Sequence, residues 1–203
     1  MADLDRDGID DAAVASESEG RVRLWLSSHG PAAKSPPIVL ELPGVREVLA
    51  GDLDGDGQRD LLLTGERVWF LLARQGFVAE PKPIAGSEHL RDVQLEDANA
   101  DGKLDIVGYV HPDVIALMQG DQLRFARRTL ASLRGDLGVL FARIGQLDAN
   151  SQPDLVIATT SEGPDAQLEL AIASNLTDDA PVRFAAQPQT LRDAVLLQYF
   201  ALP

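Results

Sequence analysis

Acidic residues recur in one spacing at four places along the chain: DLDRDGIDD from Asp3, DLDGDGQRD from Asp52, DANADGKLD from Asp97 and QLDANSQPD from Gln146. The anchors lie 49, 45 and 49 residues apart. A carboxylate or amide oxygen at positions 1, 3, 5 and 9 brings hard oxygen donors into one small volume, and Gly at position 6 of the first three copies permits a sharp turn. The donors are Asp3, Asp5, Asp7 and Asp11; Asp52, Asp54, Asp56 and Asp60; Asp97, Asn99, Asp101 and Asp105; and Asp148, Asn150 and Asp154. The backbone carbonyls of Ile9, Gln58 and Lys103, at position 7, complete the expected ligand sets. Hard oxygen donors in this arrangement select Ca²⁺, so the chain reads as a calcium-loop repeat protein, with Ca²⁺ its one expected cofactor.

The loops also account for the charge. The formal net charge is -14, from 32 acidic and 18 basic residues. Thirteen of the acids occupy loop positions, and the others nearly balance the bases. The remaining surface is close to neutral and gives no electrostatic case for binding nucleic acid. There is no cysteine, hence neither a disulfide framework nor thiol chemistry. No apolar run is long enough to span a membrane, and the acidic start MADLDRDG enters a loop at once, so neither direct membrane insertion nor a signal peptide within this chain is expected.

Between loops the chain reads as short strands. Each loop runs into an apolar segment (DAAVAS, DLLLTG, DIVGYV, DLVIAT) suited to a buried strand. A second strand alternates as a half-buried one does: Val22, Leu24, Leu26; Val68, Phe70, Leu72; Ile115, Leu117; Leu168, Leu170, Ile172. A third lies around IVLEL, FVAEPKPI, RFARRTL and VRFAAQPQ, where prolines suit an outer edge. A fourth precedes the next loop, at 45 to 51, 90 to 96 and 138 to 145, and residues 191 to 202 supply a last copy. Four strands per repeat without a helix describe propeller blades. The expected fold is all-β: one domain over residues 1–203, a four-bladed propeller of four antiparallel strands per blade, with the C-terminal strand completing the first blade.

The pattern D-x-[DN]-x-[DN]-G-x-x-D, followed by a hydrophobic strand, an alternating strand and a Gly-Phe-like turn such as Gln75-Gly76-Phe77, resembles the FG-GAP/VCBS repeats of integrin-alpha-type β-propellers. The fourth copy departs from it, with Gln146 for the first Asp and Ser151 for the glycine. The resemblance implies Ca²⁺ in the hairpin between the first two strands of a blade, and an extracellular or periplasmic adhesion or recognition role. Such propellers more often have seven blades, so four copies imply either a small closed ring or a piece of a larger one. EF-hand and dockerin loops share the DxDxDG start but need a carboxylate at position 12 and a following helix. Position 12 here is Val14, Leu63, Gly108 or Ile157, inside an expected strand.

Catalytic motifs are scarce. His29, His89 and His111 fall in separate loops without ligand spacing, and neither a G-x-S-x-G nor a P-loop occurs. An enzyme is not expected. Arg134-Gly135-Asp136 matches the tripeptide that integrins recognise, and Asn175-Leu176-Thr177 is a glycosylation sequon. Arg46-Glu47, Arg91-Asp92 and Arg192-Asp193 open the innermost strands, which sets three Arg/acid pairs around the channel mouth away from the loops. Arg46, Arg91 and Arg192 suit either an anionic ligand or salt bridges between blades. Three functional expectations follow: a protein-interaction or scaffolding propeller with structural metals; a carbohydrate-binding module, which needs exposed aromatics such as Tyr109 or Tyr199; or a fragment of a larger propeller-containing enzyme or adhesion protein. The partner is then a protein or a glycan, and the chain a monomer or a self-associating propeller.

Overall fold

A computed structural model describes residues 1–29, 36–133, 137–147, 149, 152–161, 168–173 and 182–183. Its strands are β1 (Ala12–Ser16), β2 (Arg21–Trp25), β3 (Ile38–Glu41), β4 (Glu47–Gly51), β5 (Asp60–Thr64), β6 (Val68–Leu71), β7 (Lys82–Pro83), β8 (Arg91–Glu96), β9 (Asp105–Val110), β10 (Asp113–Gln119), β11 (Phe125–Ser132), β12 (Leu137–Gly145), β13 (Asp154–Ser161), β14 (Leu168–Ala173) and β15 (Val182–Arg183). The only helical elements among the described residues are three single 3-10 turns, Ser27–His29, Ala73–Gln75 and Asp121–Leu123.

These strands form four sheets: β1-β2-β3, β4-β5-β6-β7, β8-β9-β10-β11-β15 and β12-β13-β14. All pairings are antiparallel except one. β15 joins β11 in parallel, which places Val182–Arg183 in the third sheet instead of the fourth, where VRFAAQPQ was expected to lie. In the second, third and fourth sheets the acidic loop connects the first two strands (β4 to β5, β8 to β9, β12 to β13). In the first sheet a lone bridge between Ala2 and Asp11 stands in that place. Position 12 lies within a strand in all four copies, as the argument against an EF-hand required. The proline reading also holds, since Pro83 ends the short edge strand β7.

Burial explains why some strands are apolar throughout. Leu61 and Leu63 of β5 pack with Val22 and Leu24 of the first sheet, whereas Leu62 between them packs with Ile106, Ile115 and Leu117 of the third. Val107, Val114 and Ala116 turn the other way and pack with Ala142, Ile144, Leu155 and Ile157 of the fourth. Successive side chains of a strand point to opposite faces, so a sheet held between two others needs apolar residues at every position. This corrects the half-buried reading of β10: Val114, Ile115, Ala116 and Leu117 are all fully buried. The first sheet differs. Val22 and Leu24 are buried, while its other face carries Val14, Val39 and the ion pairs Arg21–Glu41 and Arg23–Glu19.

Consecutive sheets thus stack through three apolar interfaces, with β4 contacting β1 and β8, and β8 contacting β12. Among the described residues no strand joins the fourth sheet to the first, so closure is not seen there; the closing strand expected at 191 to 202 lies outside them. Between the third and fourth sheets, Arg143 of β12 forms a two-pronged pair with Asp92 of β8, with Nη1 2.6 Å and Nη2 2.8 Å from its carboxylate oxygens. Both groups are partly solvated. Asp92→Ala should therefore cost only about 1 kcal/mol in urea denaturation, and a loss several times larger would mean that this bridge is a main fastening between sheets.

Candidate metal centre

Three acidic loops share one backbone design. The Asp at position 1 accepts two backbone N–H groups: Arg6 and Gly8 donate to Asp3, Gly55 and Gly57 to Asp52, and Asp101 and Gly102 to Asp97, at 2.7–3.0 Å. Position 3 accepts the N–H of position 5, and position 5 that of position 7, so Ile9, Gln58 and Lys103 donate to Asp7, Asp56 and Asp101 at 2.7–2.9 Å. These local bonds curl the chain around its own carboxylates. Position 6 pays a conformational cost that only glycine avoids: Gly8, Gly57 and Gly102 have φ of 84°, 79° and 83°. Position 4 is also left-handed, even as Arg6 and Ala100, at 64° and 59°.

The position-9 aspartate has a second task. Asp11, Asp60, Asp105 and Asp154 are all buried. In each loop one oxygen accepts the N–H of position 2: Leu4, Leu53, Ala98 and Leu147 donate at 2.6, 2.9, 3.0 and 2.7 Å. In the first three, the other oxygen accepts a backbone N–H at or just beyond the end of the hairpin's second strand, from Ser27, Ala73 and Gln119, at 2.7–2.8 Å. The carboxylate therefore ties the loop to the far end of its hairpin. Because each oxygen has two lone pairs, these bonds leave capacity for a cation.

Ligand atoms of Asp3, Asp5 and Asp11 lie within 4.8 Å of one another, as do those of Asp52, Asp54 and Asp60. Asp54 Oδ2 is buried and makes no aligned hydrogen bond, with Arg74 Nη1 3.0 Å away as an ion-pair partner. An all-oxygen donor set and a cluster of carboxylates fit a hard divalent cation, with Asp3, Asp5 and Asp11 to hold it in one loop and Asp52, Asp54 and Asp60 in the next, while Asp7 and Asp56 fall outside these clusters. In the third loop Asp97, Asn99, Asp101 and Asp105 repeat the bonding, with Asn99 supplying an amide oxygen. Of the fourth, Asp154 is in place, while Asp148 and Asn150 lie outside the described residues.

Burial raises the Asp60 carboxyl and pushes that of Asp105 up to about 6, against the lowering effect of their backbone donors and with added repulsion from neighbouring loop acids. For Asp105 in metal-free protein, the folded state holds its proton more tightly than the unfolded chain does. Its stabilising contribution is complete below the ordinary value of 3.8 and lost as pH rises through about 6. Metal-free protein should therefore gain melting temperature from Asp105 between pH 7 and pH 5. Saturating Ca²⁺ should remove that gain, because the cation favours the ionised form. Melting curves at both pH values with and without metal check this, and equal slopes would contradict it.

The loops are also linked to one another. Gln58 Nε2 donates to Leu4 O at 3.0 Å, and Gln119 Nε2 to Leu53 O at 2.8 Å, so one glutamine of the second repeat and one of the third hold the position-2 carbonyl of the loop before. Sequence reading missed Gln119, which is buried and has no spacing relation to the loop it fastens.

The Arg/acid pairs divide. Arg46 Nε donates to Glu17 at 3.0 Å, and Asp92 takes Arg143; both bridge neighbouring sheets. Arg91 is exposed and lies opposite Tyr109 across β8 and β9. Arg192 lies outside the described residues, as do Arg134-Gly135-Asp136, Asn175-Leu176-Thr177 and Tyr199. His29, His89 and His111 occupy turns, and His111 Nδ1 shares a 2.7 Å hydrogen bond with the Tyr109 hydroxyl.

Residues 3–63 match the family profile of the FG-GAP-like repeat. This stretch takes in loops one and two and strands β1 to β4, and ends within β5. Loop three reproduces the bonding of the matched FG-GAP-like loops and enters a strand in the same way. No curated protein and no solved structure matches the chain.

Proposed function

We propose that the chain is a calcium-stabilised β-propeller of four blades, closed by pairing of residues 191 to 202 with β1, and that it works as a protein-interaction or scaffolding module outside the cytoplasm. The observation that carries the metal part is the convergence of carboxylates at Asp3, Asp5 and Asp11 and again at Asp52, Asp54 and Asp60, in loops that are already curled. The blade reading draws support from the FG-GAP-like repeat and from the three apolar interfaces between successive sheets. In this reading the metals fix hairpins and do not meet a substrate. The surface left for a protein partner lies at the opposite strand ends, around the β1–β2, β5–β6 and β9–β10 turns. No helix among the described residues is long and apolar enough to cross a membrane.

Light scattering combined with calorimetric Ca²⁺ titration tests this function's scaffold. A compact monomer that takes up Ca²⁺ is the expected result. A dimer or larger species would count against ring closure, and absence of Ca²⁺ uptake would end the metal reading.

A further inference from the structure

The three loops are built alike but charged differently. The residue after the N–H that caps the position-9 carboxylate stands beside the loop: Ser28 in the first hairpin, Arg74 in the second and Gly120 in the third. In loop one the Ser28 hydroxyl donates to Asp5, and the Ser27 hydroxyl to Asp7 at 2.5 Å. No cation pairs with these carboxylates among the ion pairs of the described residues. In loop two, Arg74 Nη1 lies 3.0 Å from Asp54 Oδ2, close in charge but not aligned as a hydrogen bond. A second guanidinium arrives from the neighbouring loop: Arg6 Nη2 donates to Asp56 O at 2.5 Å and lies 3.6 Å from Asp56 Oδ1.

We infer that Arg74 and Arg6 are resident counter-cations of loop two, so that loop one is the tight calcium site and loop two a weaker one that fills and empties at higher Ca²⁺. This rests on the calcium reading given above and adds an order of filling to it. The physical reason is competition. A divalent ion entering loop two meets carboxylates whose charge is already partly neutralised, and it repels two guanidinium groups that must move away. Loop one offers the same carboxylates with only hydroxyls and amides on them. Both arginines are about half exposed, so solvent screens the effect to a modest factor.

The test is calorimetric Ca²⁺ titration of the full chain, with each arginine replaced by the residue of the sister loop. Asp3→Asn should remove a tight class of site and Asp52→Asn a weaker one. Arg74→Ser should tighten the weaker class by about three- to tenfold, and Arg6→Gly should act in the same direction. Arg74→Lys keeps the charge and should leave the constant nearly unchanged, which separates electrostatics from folding. Binding with the two classes reversed, or constants indifferent to Arg74→Ser, would overturn the order of filling while leaving calcium binding intact. Absence of any Ca²⁺ uptake by the unsubstituted chain would overturn both.

Discussion

Asp60→Ala is expected to destabilise the protein by about 3–5 kcal/mol, more than a change at any loop position other than the equivalent Asp11 and Asp105. The substitution leaves the Leu53 and Ala73 N–H groups, both bonded to Asp60 in the interior, without an acceptor. Each buried donor so stranded costs about 1–3 kcal/mol, and a cavity the size of a carboxylate adds to that. Against a total stability of about 5–15 kcal/mol, this removes a large share. Asp56→Ala, at an exposed position of the same loop, should cost only about 1 kcal/mol in metal-free protein. Urea denaturation in chelator distinguishes the two. Equal effects would mean that the position-9 carboxylate is a ligand and nothing more.

Removing calcium is the second large effect. At a hundredfold excess of free ion over Kd, one site adds about 2.7 kcal/mol, and three independent sites about 8 kcal/mol. For a chain of this size each kcal/mol moves the melting temperature by about 2–4 °C, so chelation should lower it by roughly 15 to 30 °C. Asp52→Asn should remove somewhat less than one third of that difference, since the weaker site adds less at a given Ca²⁺ concentration. Scanning calorimetry in millimolar Ca²⁺ and in chelator reads it directly, and superimposable transitions would show that the loops fold without metal.

The acidic loops were legible in the sequence because their chemistry lies in side chains at fixed spacing. The strands beyond them were legible because a sheet enclosed on both faces needs an unbroken apolar run, which DLLLTG and DIVGYV supply. The clamp role of position 9 was not. Its donors are backbone N–H groups of Ser27, Ala73 and Gln119, at distances along the chain of 16, 13 and 14 residues, and a backbone donor leaves no mark on residue type. In the fourth copy Gln146 and Ser151 depart from the motif, yet Asp154 persists and holds the Leu147 N–H. The parallel seat of β15 was equally hidden, since alternation gives the face of a strand but not its partner.

The unequal faces of the first sheet bear on how freely such repeats can be exchanged. The second and third sheets present apolar side chains on both sides, so either could be copied and inserted between two neighbours with its surfaces satisfied. The first sheet offers that fit on one side only. Moved between two others, it would press Arg21, Arg23, Glu19 and Glu41 into an apolar layer and strip water from four charges at once. The repeats are alike in their loops and unlike in their flanks, and a shuffled order of the same four units would not be the same protein.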